Sequence, residues 1–189
     1  MNREYVTDGS QLSRVLTRFS NSKVVSVDIE TDGLDPLLCK VMTLQLADGI
    51  NSFVIHVNKI GDAVFRVLKP LLTDSKVIKI LHNAKFDLKF IKHHYGIDVN
   101  PIFDTFLASL LLEAGIQKGK GYHGLEQVSA RYAGYMMSKE ERVSDWSGDL
   151  SESQLEYAYK DAECLLDIRI KMIDKLKALR LVRCAKLEF

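Results

Sequence analysis

Two carboxylates stand two residues apart in the stretch Val24 to Leu34, VVSVDIETDGL, inside an otherwise apolar, β-branched run. Side chains alternate between the faces of a strand, so Ser26, Asp28 and Glu30 share one face and Val25, Val27 and Ile29 the other. A pair of full charges about 4 Å apart costs on the order of 4 kcal/mol at an effective dielectric near 20. An Arg or Lys partner, a shared proton or a divalent cation would relieve that repulsion, and hard oxygen ligands of this kind suit Mg²⁺ or Mn²⁺. Taken alone, the stretch also fits a strand end emerging into solvent.

Further acids stand in polar contexts downstream. Asp87 closes HNAKFD, one turn beyond Asn83, and Tyr157 and Asp161 in YAYKD are four apart, hence on one face of a helix. An isolated Tyr–Asp pair of this kind is also what a hydrogen bond at a helix edge looks like. Competing chemistries lack their residues. There is no Ser/His or Cys/His arrangement for a nucleophile and no G-x-x-x-x-G-K phosphate loop. Cys39, Cys164 and Cys184 form no C-x-x-C pair, which argues against a zinc knuckle and a disulfide framework. His56, His82, His93, His94, Trp146, Met136 and Met137 read as packing or surface residues.

The elements that must carry these groups follow from periodicity. SQLSRVLTRF predicts a short covering helix, with Ser10 as its cap and Leu12, Val15, Leu16 and Phe19 on one stripe. After the strand bearing Asp28 and Glu30 comes the turn TDGLDP, then VMTLQLAD (41–48) and SFVIHV (52–57), a hairpin around Gly49. Three successive antiparallel strands are expected. GDAVFRVLKPLL predicts a helix broken near Pro70, and VIKILH (77–82) a fourth strand whose connection favours parallel pairing. Asn83 is placed to cap a helix through AKFDLKFIKHHY that stops at Gly96. A short strand at Pro101 to Phe103 and an apolar helix from Asp104 to Glu113 follow. The glycine-rich AGIQKGKGYHG, with Lys118, Lys120, Tyr122 and His123, fits either a substrate-facing loop or a solvated connector. Helical patterning resumes at Leu125 to Tyr132. The last long helix opens on a capping box, Ser151 with Gln154.

Joined in order, DIETDGL, HNAKFD and YAYKD resemble the three motifs of the DEDD superfamily of 3'-to-5' exonucleases, in its tyrosine-bearing branch. The resemblance spans roughly residues 23 to 171. It implies an α/β, ribonuclease-H-like fold, with a mixed five-stranded sheet flanked by helices, and two divalent ions, Mg²⁺ or Mn²⁺. Asp28 would bridge both ions, Glu30 and Asp161 would complete the first site, and Asp87 would serve the second through water. Tyr157 would orient the attacking water. Thr31 and Leu34 match positions that contact the terminal nucleotide, and Asn83 one that positions the strand. HNAKFDLKF and DTFLASLLL are similar to proofreading domains of family A DNA polymerases, whereas SDWSGDLSESQLEYAYKDAECLLDI is also similar to ribonuclease D and Werner-type exonuclease domains. The resemblance thus implies hydrolysis of a single-stranded or frayed DNA 3' end to nucleoside 5'-monophosphates. RNA trimming, or a catalytically silent nucleic-acid-binding domain, is the alternative. A DNA polymerase module or subunit is the implied partner, and the basic end KALRLVRCAKLEF would suit such a junction.

Composition bounds the rest. With 189 residues, 47% hydrophobic and 27% charged, the chain can build one well-packed domain. A net charge of +1 excludes an all-over cationic binder of duplex DNA, though not a protein that grips a few nucleotides in a short groove. No apolar run approaches the roughly 18 residues of a membrane span, and MNREYVTDGS has no secretory core. The sequence therefore reads as intracellular, with the cytoplasm as default.

Overall fold

The computed structural model describes residues 1–114, 119–135, 141 and 144–189. Six strands form one mixed sheet: β1 (Asn2–Val6), β2 (Val24–Thr31), β3 (Val41–Ala47), β4 (Asn51–His56), β5 (Ile78–Leu81) and β6 (Ile102–Asp104), ordered β1-β4-β3-β2-β5-β6. The antiparallel β2, β3 and β4 and the parallel pairing of β5 with β2 match expectation. The sixth strand does not: β1 pairs in parallel with β4 at the sheet edge. Its sequence, NREYV, is polar on its exposed half and offers too short an alternation to read as a strand.

Helices cover both faces. Facing Val25, Val27 and Ile29 are α1 (Leu12–Arg18), α3 (Ala63–Thr73) and α4 (Lys85–Tyr95), joined to β4 by the short α2 (Val57–Ile60). The other face carries α5 (Thr105–Leu112), α6 (Leu125–Tyr132), α7 (Glu152–Ala178) and α8 (Val182–Glu188), where Cys164, Leu165, Ile168 and Met172 of α7 are buried. The capping box of Ser151 and Gln154 is formed. Ala158 and Ala162 of α7 are fully buried, and their small side chains let the helix lie close against the sheet.

Three local expectations are corrected. Asp8, not Ser10, accepts the first N–H bond, opening a 3₁₀ turn over Gly9–Gln11 ahead of α1. Pro70 does not break α3, which continues to Thr73. Pro70 and Arg66 are both exposed, so solvent can take the Arg66 carbonyl that loses its donor. Asn83 does not cap α4. Its backbone is left-handed, with φ of 58°, and the cap is a carboxylate from β6. Lys118, Met136 and Met137 lie outside the described residues.

Lys79 of β5 is fully buried, and its ammonium donates to the carbonyls of Asp74 (2.8 Å), Val77 (2.7 Å) and Asn100. No described helix is long and apolar enough to cross a membrane.

Candidate active site

β2 delivers two of the acids. Asp28 pairs across with Gln45 and Glu30 with Thr43. The register then slips, Thr31 pairing with Val41 and leaving Met42 as the extra residue. Such a bulge turns the strand at the end of its pairing, immediately after the acid pair. From the far side, α7 presents Asp161, and oxygens of Asp28, Glu30 and Asp161 all lie within 4.8 Å of one another. Asp87 enters in the first turn of α4 and is 3% exposed, with Oδ1 meeting no hydrogen-bond donor among the described residues.

The electrostatics follow from burial. Asp28 is pushed up to about 7 by desolvation, with the Ile29 N–H pulling the other way. Asp87 is held well above the ordinary carboxylate range by burial, then by the charge of Asp28, against its own N–H and that of Ile29. Tyr157 is raised by burial, by the charges of Asp161 and Glu30, and by its hydrogen bond to Asp161. It therefore stays a neutral phenol that can donate in anionic surroundings. Converging hard oxygens and a buried carboxylate oxygen that meets no donor among the described residues fit a divalent cation.

These groups line a groove of about 1180 Å³, into whose wall the structure brings all eight residues singled out in the sequence, Thr31, Leu34 and Asn83 included. Thr31 Oγ1 donates to Gly33 O at 2.6 Å, and Leu34 is 80% exposed at the mouth. Gly33 lets the loop fold back on itself: a Cβ there would stand 2.5 Å from Cys39 Sγ. Of the glycine-rich segment, Lys120 and Tyr122 face the groove. The Tyr122 ring lies 3.8 Å beneath the Arg131 guanidinium, and His123 shares a 2.8 Å hydrogen bond with Ser109, so this part is a held wall.

Sequence reasoning missed other wall residues: His82, Phe86, Phe106 and Trp146. His82 and Trp146 had read as structural. Aromatic residues directly flanking the motifs, as in HNAKF and DTF, were the available signal. It also missed Asp104, whose carboxylate accepts from Asn83 N (3.0 Å) and Ala84 N (2.9 Å) at the start of α4 and from Phe106 N (2.8 Å) and Leu107 N (3.4 Å) in α5. Two helices therefore start from one buried acid.

A helix-flanked mixed sheet with acids converging from its central strand and two helices is the ribonuclease-H-like arrangement of the DEDD exonucleases. Residues 3–177 match the family model described as 3'-5' exonuclease, and the chain belongs to that family. It is 34% identical over 180 residues to DNA polymerase I of Aquifex aeolicus, covering 95% of this chain and 29% of the polymerase. Escherichia coli RNase D, an exoribonuclease involved in structured RNA processing, superposes with a TM-score of 0.87 at 25% identity, over 100% of this chain and 48% of that one. Brucella melitensis NrnC superposes at 0.81 with 27% identity, over 99% and 87% of the two chains. It has also been solved with bound Mg²⁺ and bound to pGG. The chain thus spans less than half of the polymerase and of the RNase D it resembles.

Proposed function

We propose that the chain removes nucleotides one at a time from single-stranded or frayed DNA 3' ends, releasing nucleoside 5'-monophosphates with the help of two divalent ions. The observation that carries this reading is the meeting of Asp28, Glu30 and Asp161 within 4.8 Å, in a groove that also holds Asp87 and Tyr157. Asp28, Glu30 and Asp161 would hold one ion, and Asp28 with Asp87 the other. Bound there, the ions supply a nucleophile at neutral pH and neutralise the charge gathering on the departing 3'-oxygen.

The chain's own groups do the rest. Tyr157, kept protonated by its burial and by the charge of Asp161, orients the attacking water through its hydroxyl. Thr31 and the exposed Leu34 meet the terminal nucleotide, and Asn83 holds the strand at the head of α4. A base stacked in duplex cannot bring its terminal phosphate into the groove without unpairing, which makes a free or frayed end the substrate. The identity with DNA polymerase I favours DNA. RNA is the second reading, supported by the likeness to RNase D.

The test follows matched DNA and RNA strands labelled at the 5' end with Mg²⁺, Mn²⁺ or EDTA, beside Asp28→Ala. A metal-dependent ladder shortening from the 3' end, faster on DNA and absent in the variant, is the expected result. Faster RNA digestion would transfer the assignment to RNA trimming. A strand bound but never shortened would leave a binding domain.

A further inference from the structure

On the α7 side of the sheet, the segment from Ser144 to Asp149 runs along the groove and forms part of its wall through Ser144, Asp145 and Trp146. This segment is tied down from two directions. From the end of β4 and from α2, His56 Nε2 donates to Gly148 O (2.9 Å), Asn58 Nδ2 donates to Ser147 O (2.9 Å), and Lys59 pairs with Asp149. From α7, Gln154 Nε2 donates to Asp145 O at 2.9 Å. Beneath these ties Trp146 is 2% exposed, packed with Met42, Val54 and Ala158, its ring 6.1 Å from that of Tyr157.

His56 is the inner tie. Because Gly148 O can only accept, the ring proton must sit on Nε2. The residue is fully buried and pairs with Thr43, which pairs in turn with Glu30, so the latch and the acid lie on one row of the sheet. A buried histidine at a strand end is ordinarily a packing residue. Here its bond fixes the backbone two residues beyond the indole against which Tyr157 rests.

We propose that His56 is a positioning residue, latching residues 144–149 over the groove so that Trp146 fixes the ring, and hence the hydroxyl, of Tyr157. The inference rests on the role given to Tyr157 above.

A double-mutant cycle separates the two. Steady-state rates on a 5'-labelled single strand at saturating Mg²⁺ are compared for the wild type, His56→Leu, His56→Gln, Tyr157→Phe and His56→Leu with Tyr157→Phe. His56→Leu is expected to lower kcat roughly 10-fold with KM within about twofold, since sub-ångström misplacement of a reacting group is costly. His56→Gln, whose amide can still donate to Gly148 O, keeps kcat within about threefold. In the Tyr157→Phe background the leucine substitution should cost less than about twofold, because there is no hydroxyl left to misplace. Equal losses in both backgrounds, or no loss in either, would overturn the latch. Wild-type turnover by Tyr157→Phe alone would instead overturn the role of the tyrosine. Should His56→Leu lose cooperative thermal unfolding, Asn58→Ala with Lys59→Ala removes two exposed ties and runs through the same cycle, with about a threefold loss of kcat expected.

Discussion

Replacing Asp104 should damage two helices and the candidate metal site through one side chain. Its carboxylate is 3% exposed and accepts three strong N–H bonds, from Asn83, Ala84 and Phe106, with Leu107 more distant at 3.4 Å. Hydrogen bonds to a charged group contribute about 1.5–3 kcal/mol each, and a buried N–H left unmade costs about 1–3 kcal/mol. A lost N-cap costs about 1 kcal/mol, and two caps share this residue. These terms overlap rather than add, so Asp104→Ala should lose about 3–5 kcal/mol. Asp104→Asn keeps one oxygen for Asn83 and Phe106 but turns an amide toward the Ala84 N–H, donor against donor, for about 1.5–3 kcal/mol.

The damage should reach the chemistry because Asn83 holds a left-handed backbone, unusual for a residue other than glycine, and Asp87 follows it by four residues. Urea unfolding measures the stability loss, and Mg²⁺ titration of exonuclease rate measures the site. Asp104→Asn is expected to fold with a lowered midpoint and unchanged slope, to need several-fold more Mg²⁺ for half-maximal rate, and to regain much of its rate at high Mg²⁺. An unchanged Mg²⁺ requirement beside the expected stability loss would refute the link from Asp104 to Asp87, leaving an ordinary helix cap.

Metal removal should have a pH signature. In the metal-free protein Asp28 titrates near 7 because of burial, whereas in the unfolded chain it ionises near the ordinary 3.8. Between those values the folded state binds the extra proton, so metal-free stability falls as pH rises through that window. The Mg²⁺-induced gain in Tm should therefore be larger at pH 8 than at pH 6, and a gain independent of pH would contradict it. Gly33→Ala drives a Cβ into Cys39 Sγ, so KM for a single strand should rise several-fold, and Cys39→Ala in the same chain should restore it. A KM that stays high in the double variant would remove that collision as the cause. Lys79→Met leaves three inward carbonyls without their ammonium, and chemical denaturation should show a loss of about 2–4 kcal/mol. A change under about 0.5 kcal/mol, within the range of an ordinary surface substitution, would mean that water replaces the ammonium without cost.

Much of the fold was legible because its elements are local statements. The alternation in β2 to β4, the stop at Gly96 and the capping box before α7 each depend on residues a few positions apart, and each stands where the sequence places it. The failures were also local readings, overruled from a distance. Ser10 and Asn83 are acceptable caps by type, but Asp8 and Asp104 were nearer the free N–H groups once the chain had folded. The first strand escaped because an edge strand need satisfy only one neighbour: β1 is held by β4 and by Arg3, which bridges to Glu163 at 2.7 Å and Glu156 at 2.5 Å on α7. None of those contacts leaves a period in NREYV.

The candidate site divides in the same way. Its acids were readable because a charge on an otherwise buried strand or helix face demands a counterpart, and four such demands in three segments can be met together. What orients those acids was not readable, since its bonds end on backbone atoms, which every residue carries. Asp104 reaches the N–H groups of Asn83 and Ala84 about twenty residues back, and His56 the carbonyl of Gly148 across 92 residues. Nothing in the receiving residues marks them as partners. The side chains that reach them carry the only trace, as polar or charged residues in apolar runs: Lys79 in VIKIL, Asp104 in PIFDTF, His56 in FVIHV. Each interrupts a strand at a position that hydrophobic burial alone would fill with Val or Ile. The interruptions do different work: Asp28 belongs to the candidate metal site, Asp104 caps the two helices beside it and Lys79 gathers three backbone carbonyls, so mutation of β2 and β6 can tell a direct role in the site from a supporting one.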